Sequence, residues 1–219
     1  MIENIVAKSD LVNDALKAEL SKIFARLTQK VVLKAVVDIN DQKGKELAEF
    51  LAVVESLSEK IELQAYSVNE DGANELDRTY LPVVGIYKDD VYTGICFHGV
   101  PGGKEINPFV LAIYNVGGPG QEVEKRHQKA IDKIDKKVNL KVCVTLACHY
   151  CAQEVMHCQR IASLNDNVQA EMIDATLFKD LVDKYKIERI PLLIVNDEKT
   201  FVGQKNMDEI LDIIKACVK

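Results

Sequence analysis

The sequence predicts an α/β protein in which one order of helices and strands occurs twice. Apolar residues recur along the whole chain either at helical spacing or in short β-branched runs. A glycine and proline cluster at 117–120 separates two stretches of similar length. Each stretch also has an apolar residue followed by proline just before a strand, at Pro82 and Pro191. We therefore predict two tandem units, residues 1–119 and 120–219, each a mixed sheet flanked by helices.

The elements of the first half follow from its apolar spacing. Helical spacing predicts helices at 16–27, 47–54 and 109–116. Alternating or β-branched residues predict strands at 31–39, 61–65, 83–87 and from the polar turn at 88–90 to 97.

The second half repeats this order with one additional short helix. Helices are predicted at 123–138, from the C-x-x-C motif to about 164, at 177–185 and from 207 onward. Strands are predicted at 140–146, 168–174, 192–195 and up to 202.

The two prolines give a first estimate of how the halves correspond. Aligning Pro191 with Pro82 places Cys148 opposite Ile39 and Cys151 opposite Gln42. The first half therefore has the frame of the second without its paired cysteines, and we expect no dithiol chemistry from it.

Charge and composition narrow the class of protein. The net charge is −6 and the basic residues are dispersed among acids, which argues against a nucleic-acid surface. The N-terminus lacks the basic and apolar regions of a signal peptide, and no segment approaches the ~20 apolar residues that span a bilayer. We therefore expect a cytoplasmic protein without a membrane partner. Thiols are kept reduced in the cytoplasm, so the six cysteines are not expected to form a structural disulfide framework.

Cys148 and Cys151 are the only cysteines at C-x-x-C spacing, and they lie between a predicted strand and a predicted helix. Disulfide exchange needs an attacking thiolate and a second thiol that resolves the mixed disulfide. Lowering a thiol pKa from ~8.5 to ~7 takes ~2 kcal/mol, of which a helix N-terminus supplies ~0.3–1 kcal/mol. In favourable geometry the helix N-terminus supplies ~2 kcal/mol, and hydrogen bonds to the thiolate are expected to help where it supplies less. Cys148, nearer the helix end, is expected to attack, and Cys151 to resolve.

The alternative outside the enzyme class is a non-catalytic module that is stabilised by zinc or serves as a scaffold. C-x-x-C is also half of a tetrahedral zinc site, and His157 and Cys158 follow it. Cys158 shares a helical face with Val155, which favours a place in the core. The remaining cysteines are also expected in the core: Cys96, Cys143 and Cys217. No dinucleotide or phosphate-loop motif is present, so we expect no bound cofactor.

Several motifs together resemble the N-terminal module of the flavoprotein subunit of alkyl hydroperoxide reductase, a tandem thioredoxin-like unit. They are Phe97 to Glu105 (FHGVPGGKE), Val116-Gly117-Gly118, Cys148-His149-Tyr150-Cys151, Ile173-Asp174, Ile190-Pro191, Val195-Asn196 and Phe201 to Gln204 (FVGQ). The chain more distantly resembles protein disulfide oxidoreductases and glutaredoxin-like proteins. The resemblance implies that the first fold is vestigial and that the second passes electrons from a flavoprotein disulfide reductase to a peroxiredoxin. A general protein disulfide reductase or isomerase is the alternative enzyme.

The resemblance also implies roles for residues around the dithiol. Pro191 is expected to be cis and beside the two cysteines, with the backbone of Ile190 free to pair with an extended substrate. His149 and Tyr150 are expected to contact the substrate. Pro82, the corresponding proline of the first half, is expected to keep the same backbone shape but to take no part in substrate binding.

Glu105 is the last candidate. The resemblance places it at the inner face of the first fold, toward the dithiol, where it would supply the acid that the strand at 140–146 lacks. The alternative is an exposed loop acid that caps the helix beginning at Ile106.

Overall fold

Helices and strands alternate in the computed structural model, which describes residues 1–218 and confirms the α/β class. The helices are α1 (Asp14–Phe24), α2 (Gln42–Glu55), α3 (Ile106–Gly117), α4 (Lys125–Ile131), α5 (His149–Ala162), α6 (Lys179–Tyr185) and α7 (Met207–Cys217). The strands are β1 (Val31–Val37), β2 (Ile61–Ser67), β3 (Val83–Lys88), β4 (Val91–His98), β5 (Val138–Val144), β6 (Val168–Asp174), β7 (Leu192–Val195) and β8 (Lys199–Val202). A single 3-10 turn, Gly103–Glu105, precedes α3.

The two predicted mixed sheets are joined edge to edge into one sheet of eight strands, in the order β2-β1-β3-β4-β6-β5-β7-β8. The join is a parallel pairing of β4 with β6, in which Cys96 lies opposite Glu171. Each half contributes one parallel pair, β1 with β2 and β5 with β6, and an antiparallel hairpin. The backbone groups at the inner edge of each half are therefore satisfied by the other half.

The core between sheet and helices is continuous across both halves. In the first half its centre is a cluster of aromatic rings: Phe109 of α3 lies 5.5 Å from Phe50 and 5.2 Å from Phe97, ring centre to ring centre. All three side chains are fully buried, and each contributes roughly 1.5–3 kcal/mol from burial alone. Helix α3 also packs against α5, so the halves share helical as well as strand contacts. No helix within residues 1–218 has both the length and the apolar character needed to cross a bilayer.

Several predicted boundaries are wrong by a few residues: α1 ends at Phe24 rather than at 27, and α2 begins at Gln42 rather than at 47. Two further errors have a local cause. The helix predicted over 123–138 ends at Ile131, and Val138 instead begins β5, where it pairs with Val168. The strand predicted over 31–39 ends at Val37, because the Asp38 side chain accepts the N–H of Asn40 at 2.9 Å and turns the chain. In both places an apolar residue beyond the end of an element was counted as part of it.

The correspondence derived from the two prolines is wrong for the first strands and helices of the halves. β5 and β1 begin at Val138 and Val31, and aligning these two starts also aligns the start of α5 with that of α2. The prolines are further apart than these starts, because the chain from the end of β6 to the second proline is slightly longer than the chain from the end of β2 to the first. Asp41 and Gly44, rather than Ile39 and Gln42, therefore stand where the second half has its two paired cysteines.

Candidate active site

The paired cysteines lie at the N-terminus of α5. Cys148 is the N-cap residue, with extended backbone, and a disulfide joins it to Cys151 across a Cα–Cα distance of 5.4 Å. The Cys148 sulfur also accepts the backbone N–H of Cys151 at 3.2 Å. This hydrogen bond stabilises a Cys148 thiolate in addition to the helix N-terminus.

The two sulfurs differ in exposure. Cys148 is partly exposed, whereas the Cys151 side chain is fully buried. His149 and Tyr150, the first residues of α5, are exposed, and the Tyr150 side chain is 63% accessible. An incoming protein therefore meets Cys148, His149 and Tyr150 before it meets Cys151.

The Ile190-Pro191 peptide bond is cis, which confirms that prediction. Leu192, which follows it, pairs with Cys143, so the chain entering β7 runs beside the chain that leaves β5 toward the dithiol. Pro191 is buried, and its carbonyl accepts the N–H of Gly203 at 2.9 Å.

The first half repeats this arrangement. Leu81-Pro82 is also cis, and the Pro82 carbonyl accepts the N–H of Gly99 at 2.8 Å. Pro82 thus keeps the backbone shape found at Pro191, as predicted.

A shallow cleft of about 170 Å³ opens next to the dithiol loop. Its lining includes Thr145, which follows β5, and Glu188, Arg189 and Ile190, which precede the cis proline.

Glu105 is fully buried, which excludes the exposed loop acid, and its side chain makes no capping hydrogen bond to α3. Neither carboxylate oxygen has a hydrogen-bond partner among residues 1–218. The turn that carries Glu105 contacts α5, and the Lys104 N–H donates to the carbonyl of Leu146 at 2.8 Å, two residues before Cys148. Burial, and after it the carboxylate of Asp174, raise the pKa of Glu105 to about 8.

The other cysteines do not complete a zinc site with the dithiol. Cys96, Cys143 and Cys158 are buried, as predicted, and Cys217 is only half-buried. Burial raises the pKa of the Cys143 thiol to about 12 and that of Cys158 well above its ordinary value. Within residues 1–218, Cys148, Cys151, His157 and Cys158 do not come together as a metal-ligand cluster.

Two buried acids near the dithiol were given no role from the sequence, although Asp174 belongs to the Ile173-Asp174 motif of the family resemblance. Glu154, one turn after Cys151, is fully buried, and burial raises its pKa to about 7 although the Lys205 N–H donates to it at 3.3 Å. Its helical position three residues after Cys151 was a readable signal. Asp174, at the end of β6, is 2% exposed and accepts the Thr176 hydroxyl at 2.7 Å. Nothing in its local sequence indicates burial.

Comparison with known proteins agrees with this geometry. A thioredoxin domain family matches residues 138–215, which is the part that carries the dithiol. The structure of the alkylhydroperoxide reductase protein AhpF from Enterococcus faecalis superposes with a TM-score of 0.87 at 38% sequence identity, over 94% of this chain and all of that one. The structure of its N-terminal domain superposes with a TM-score of 0.86 at 39% identity, over 92% of this chain and 99% of that one.

The chain belongs to the family of the AhpF N-terminal domain. As a member of this family with a Cys148–Cys151 disulfide, it is a thiol-disulfide oxidoreductase. The corresponding alkyl hydroperoxide reductase protein from Pseudomonas putida is 28% identical over 92% of this chain but only 37% of its own length. The chain thus spans little more than a third of that relative. A protein disulfide oxidoreductase from Aeropyrum pernix has the same fold, with a TM-score of 0.82 at 19% identity over 96% of this chain and 95% of that one.

Proposed function

We propose that this AhpF-type domain carries electrons from a flavoprotein disulfide reductase to a peroxiredoxin through the Cys148–Cys151 dithiol. The observation that carries the proposal is the difference in exposure between the two sulfurs at the start of α5. Family membership supports the direction of transfer, because the relatives are subunits of a hydroperoxide reductase.

The exchange proceeds in two displacements in this proposal. The Cys148 thiolate bonds to one sulfur of the acceptor disulfide, and the acceptor's other sulfur leaves as a thiolate that takes up a proton. The Cys151 thiolate then attacks the Cys148 sulfur and releases the second acceptor thiol, which is also protonated. Two electrons and two protons have moved, and the Cys148–Cys151 disulfide has formed. The dithiol of the flavoprotein restores the pair by the reverse sequence.

The helix end and one hydrogen bond account for the energy that the thiolate needs. Lowering a thiol pKa to ~7 takes ~2 kcal/mol. The helix N-terminus supplies ~0.3–1 kcal/mol, and a hydrogen bond to a charged group ~1.5–3 kcal/mol. The Cys151 N–H is in place for that bond, at 3.2 Å from the Cys148 sulfur.

The residues around the dithiol have supporting roles in this proposal. The backbone of Ile190, held by Pro191, pairs with the acceptor in the cleft, and His149 and Tyr150 contact its surface. Glu105 exchanges a proton with the dithiol from the first half. A carboxyl group with a pKa of about 8 is suited to that exchange near neutral pH.

A reconstituted peroxidase assay tests the proposal. Purified flavoprotein reductase, NADH, peroxiredoxin and peroxide are combined with and without the chain. We expect NADH oxidation that depends on both the chain and the peroxide, and that is lost in Cys148→Ser but kept in Cys217→Ser, the matched control.

The alternative is a general protein disulfide reductase or isomerase. A chain that reduces insulin or reactivates a scrambled disulfide protein, but does not support peroxide turnover, would establish that alternative and refute the peroxiredoxin proposal.

A further inference from the structure

A second cluster of reactive side chains lies in the middle of the sheet, away from the dithiol. Cys96 and His98 are two residues apart on β4 and so share one face, and Glu171 of β6 pairs with Cys96. All three are buried, with exposures of 1%, 0% and 6%. Their ligand atoms, one sulfur, one nitrogen and one oxygen, all lie within 4.8 Å of one another.

We propose that Cys96, His98 and Glu171 form a structural site for a divalent ion of the Zn²⁺ or Co²⁺ class, which clamps the two halves of the sheet together. Thiolate, imidazole and carboxylate are the ligands that this class prefers, whereas Mg²⁺ and Ca²⁺ take oxygen ligands alone. Cys96 and His98 come from the first half and Glu171 from the second, so the ion would bridge the join between β4 and β6.

The distances suit a tetrahedral ion. Bond lengths of ~2.0–2.3 Å at tetrahedral angles place neighbouring ligand atoms about 3.3–3.6 Å apart. The Cys96 sulfur lies 3.5 Å from Nε2 of His98, and Oε2 of Glu171 lies 3.0 Å from the same nitrogen. The sulfur–nitrogen distance already matches, and the nitrogen–oxygen distance would lengthen by about 0.3 Å with an ion bound between the two atoms. The fourth position is left for water.

The groups that orient the ligands are already in place. Nδ1 of His98 lies 2.7 Å from the carbonyl oxygen of Tyr80, a partner that leaves Nε2 for a metal. The amide of Asn139 donates to Oε1 of Glu171 and leaves Oε2 directed at His98. Metal-ligating histidines and carboxylates are typically held in this way.

The charges balance as well. A divalent ion bound by a thiolate, a neutral imidazole and a carboxylate leaves the buried site without net charge. The nearby ammonium of Lys141 is already paired, at 2.8 Å with Asp197 and 3.6 Å with Asp77.

Cobalt binding tests the site separately from the proposed electron transfer. The full chain carrying Cys148→Ser and Cys151→Ser, which removes the dithiol as a ligand, is refolded with Co²⁺ alone, because a buried site needs the ion during folding. We expect one Co²⁺ per chain after gel filtration and a thiolate-to-cobalt charge-transfer band.

Variants locate the ligands in the same background. Cys96→Ser should abolish the band, and Asn139→Ala should weaken binding roughly 10-fold. Cys143→Ser, an equally buried cysteine on β5, is the matched control and should keep both ion and band. Cys96→Ser could unfold the chain, so a second ligand variant is needed. Glu171→Gln keeps the side-chain shape and should also weaken cobalt binding. No retained cobalt, a spectrum without the thiolate band, or equal binding in Glu171→Gln overturns the site.

Discussion

Asp41 and Cys148 occupy the same structural position in the two halves, since each is the N-cap of the helix that follows the first strand of its half. Asp41 accepts the N–H groups of Lys43 and Gly44, each at 2.9 Å, and Cys148 accepts the N–H of Cys151 at 3.2 Å. In the first half, therefore, a carboxylate caps α2 at the position that the reactive thiol occupies at the start of α5 in the second half. At the second cysteine position, a Cβ on Gly44 would lie 2.1 Å from the carbonyl oxygen of Asp38, so no side chain fits there.

The role of Asp41 is therefore expected to be purely structural. Asp41→Ala should lower the free energy of unfolding by about 1 kcal/mol, because two helix N–H groups lose their acceptor. Asp41→Asn should retain most of the stability. Urea denaturation measures the loss, and disulfide exchange by the folded variant should equal wild type. Slower exchange at unchanged stability would contradict this assignment.

The exposure of Cys148 and the burial of Cys151 predict which variant traps a partner. Cys151→Ser should accumulate a mixed disulfide between Cys148 and the acceptor, because nothing remains to resolve it. Non-reducing gels and mass spectrometry detect the adduct. Cys148→Ser should form none, and Cys217→Ser should turn over like wild type. An adduct formed by Cys148→Ser would reverse the assigned roles.

Glu105 is predicted to couple electrostatically to the dithiol. In Glu105→Gln the upper part of the Cys148 thiolate titration should shift down by up to about half a pKa unit, ~0.7 kcal/mol, because the Glu105 carboxyl, with a pKa of about 8, disfavours the nearby thiolate only once it is ionised. The difference in thiolate absorbance between each protein and its Cys148→Ser counterpart isolates this thiol. Glu122→Gln, an exposed acid, is the control. An unchanged titration with normal exchange kinetics would leave Glu105 with a structural role only.

The raised pKa of Glu105 also predicts a pH dependence of stability. The carboxyl group ionises at about 8 in the folded protein and near its ordinary value, 4.5, when unfolded. The unfolded chain therefore binds fewer protons between these values, and stability falls as pH rises through that window. Glu105→Gln should gain stability relative to wild type between pH ~5 and ~9, by at most about 5 kcal/mol. Urea denaturation at both pH values measures this, and Glu122→Gln should show no such gain.

The contact between the first half and the dithiol loop depends on Gly103. Its φ is +56°, and an added Cβ would lie 2.4 Å from the carbonyl oxygen of Leu146. Gly103→Ala should cost roughly 1–3 kcal/mol of stability and slow disulfide exchange, because it displaces the chain two residues before Cys148. Gly102→Ala is the matched control: its φ is −96° and its nearest contact, a flexible methyl of Leu11, is 3.3 Å away. Equal effects of the two substitutions would show that the Leu146 contact is unimportant.

The sequence by itself determined the order of elements and the place of the dithiol. Helical spacing and β-branched runs are local properties, so α3, β6 and α7 could be predicted within a few residues, and Cys148 and Cys151 were placed at a strand-to-helix junction. The cis bond at Ile190-Pro191 was predicted from the family resemblance and is confirmed. Where the local signal was ambiguous, as for Val138 between a helix and a strand, the prediction was wrong.

Only the tertiary structure decided how the halves meet. The pairing of β4 with β6 joins residues far apart in the chain, and it brings His98 to Glu171 across 73 positions of sequence. The same packing buries Glu105, whose neighbours in the chain predicted an exposed loop as readily as an interior position. Strand pairing and burial depend on which apolar surfaces of distant elements pack against each other and exclude water. The spacing of residues within one element does not reveal which other element it will pack against.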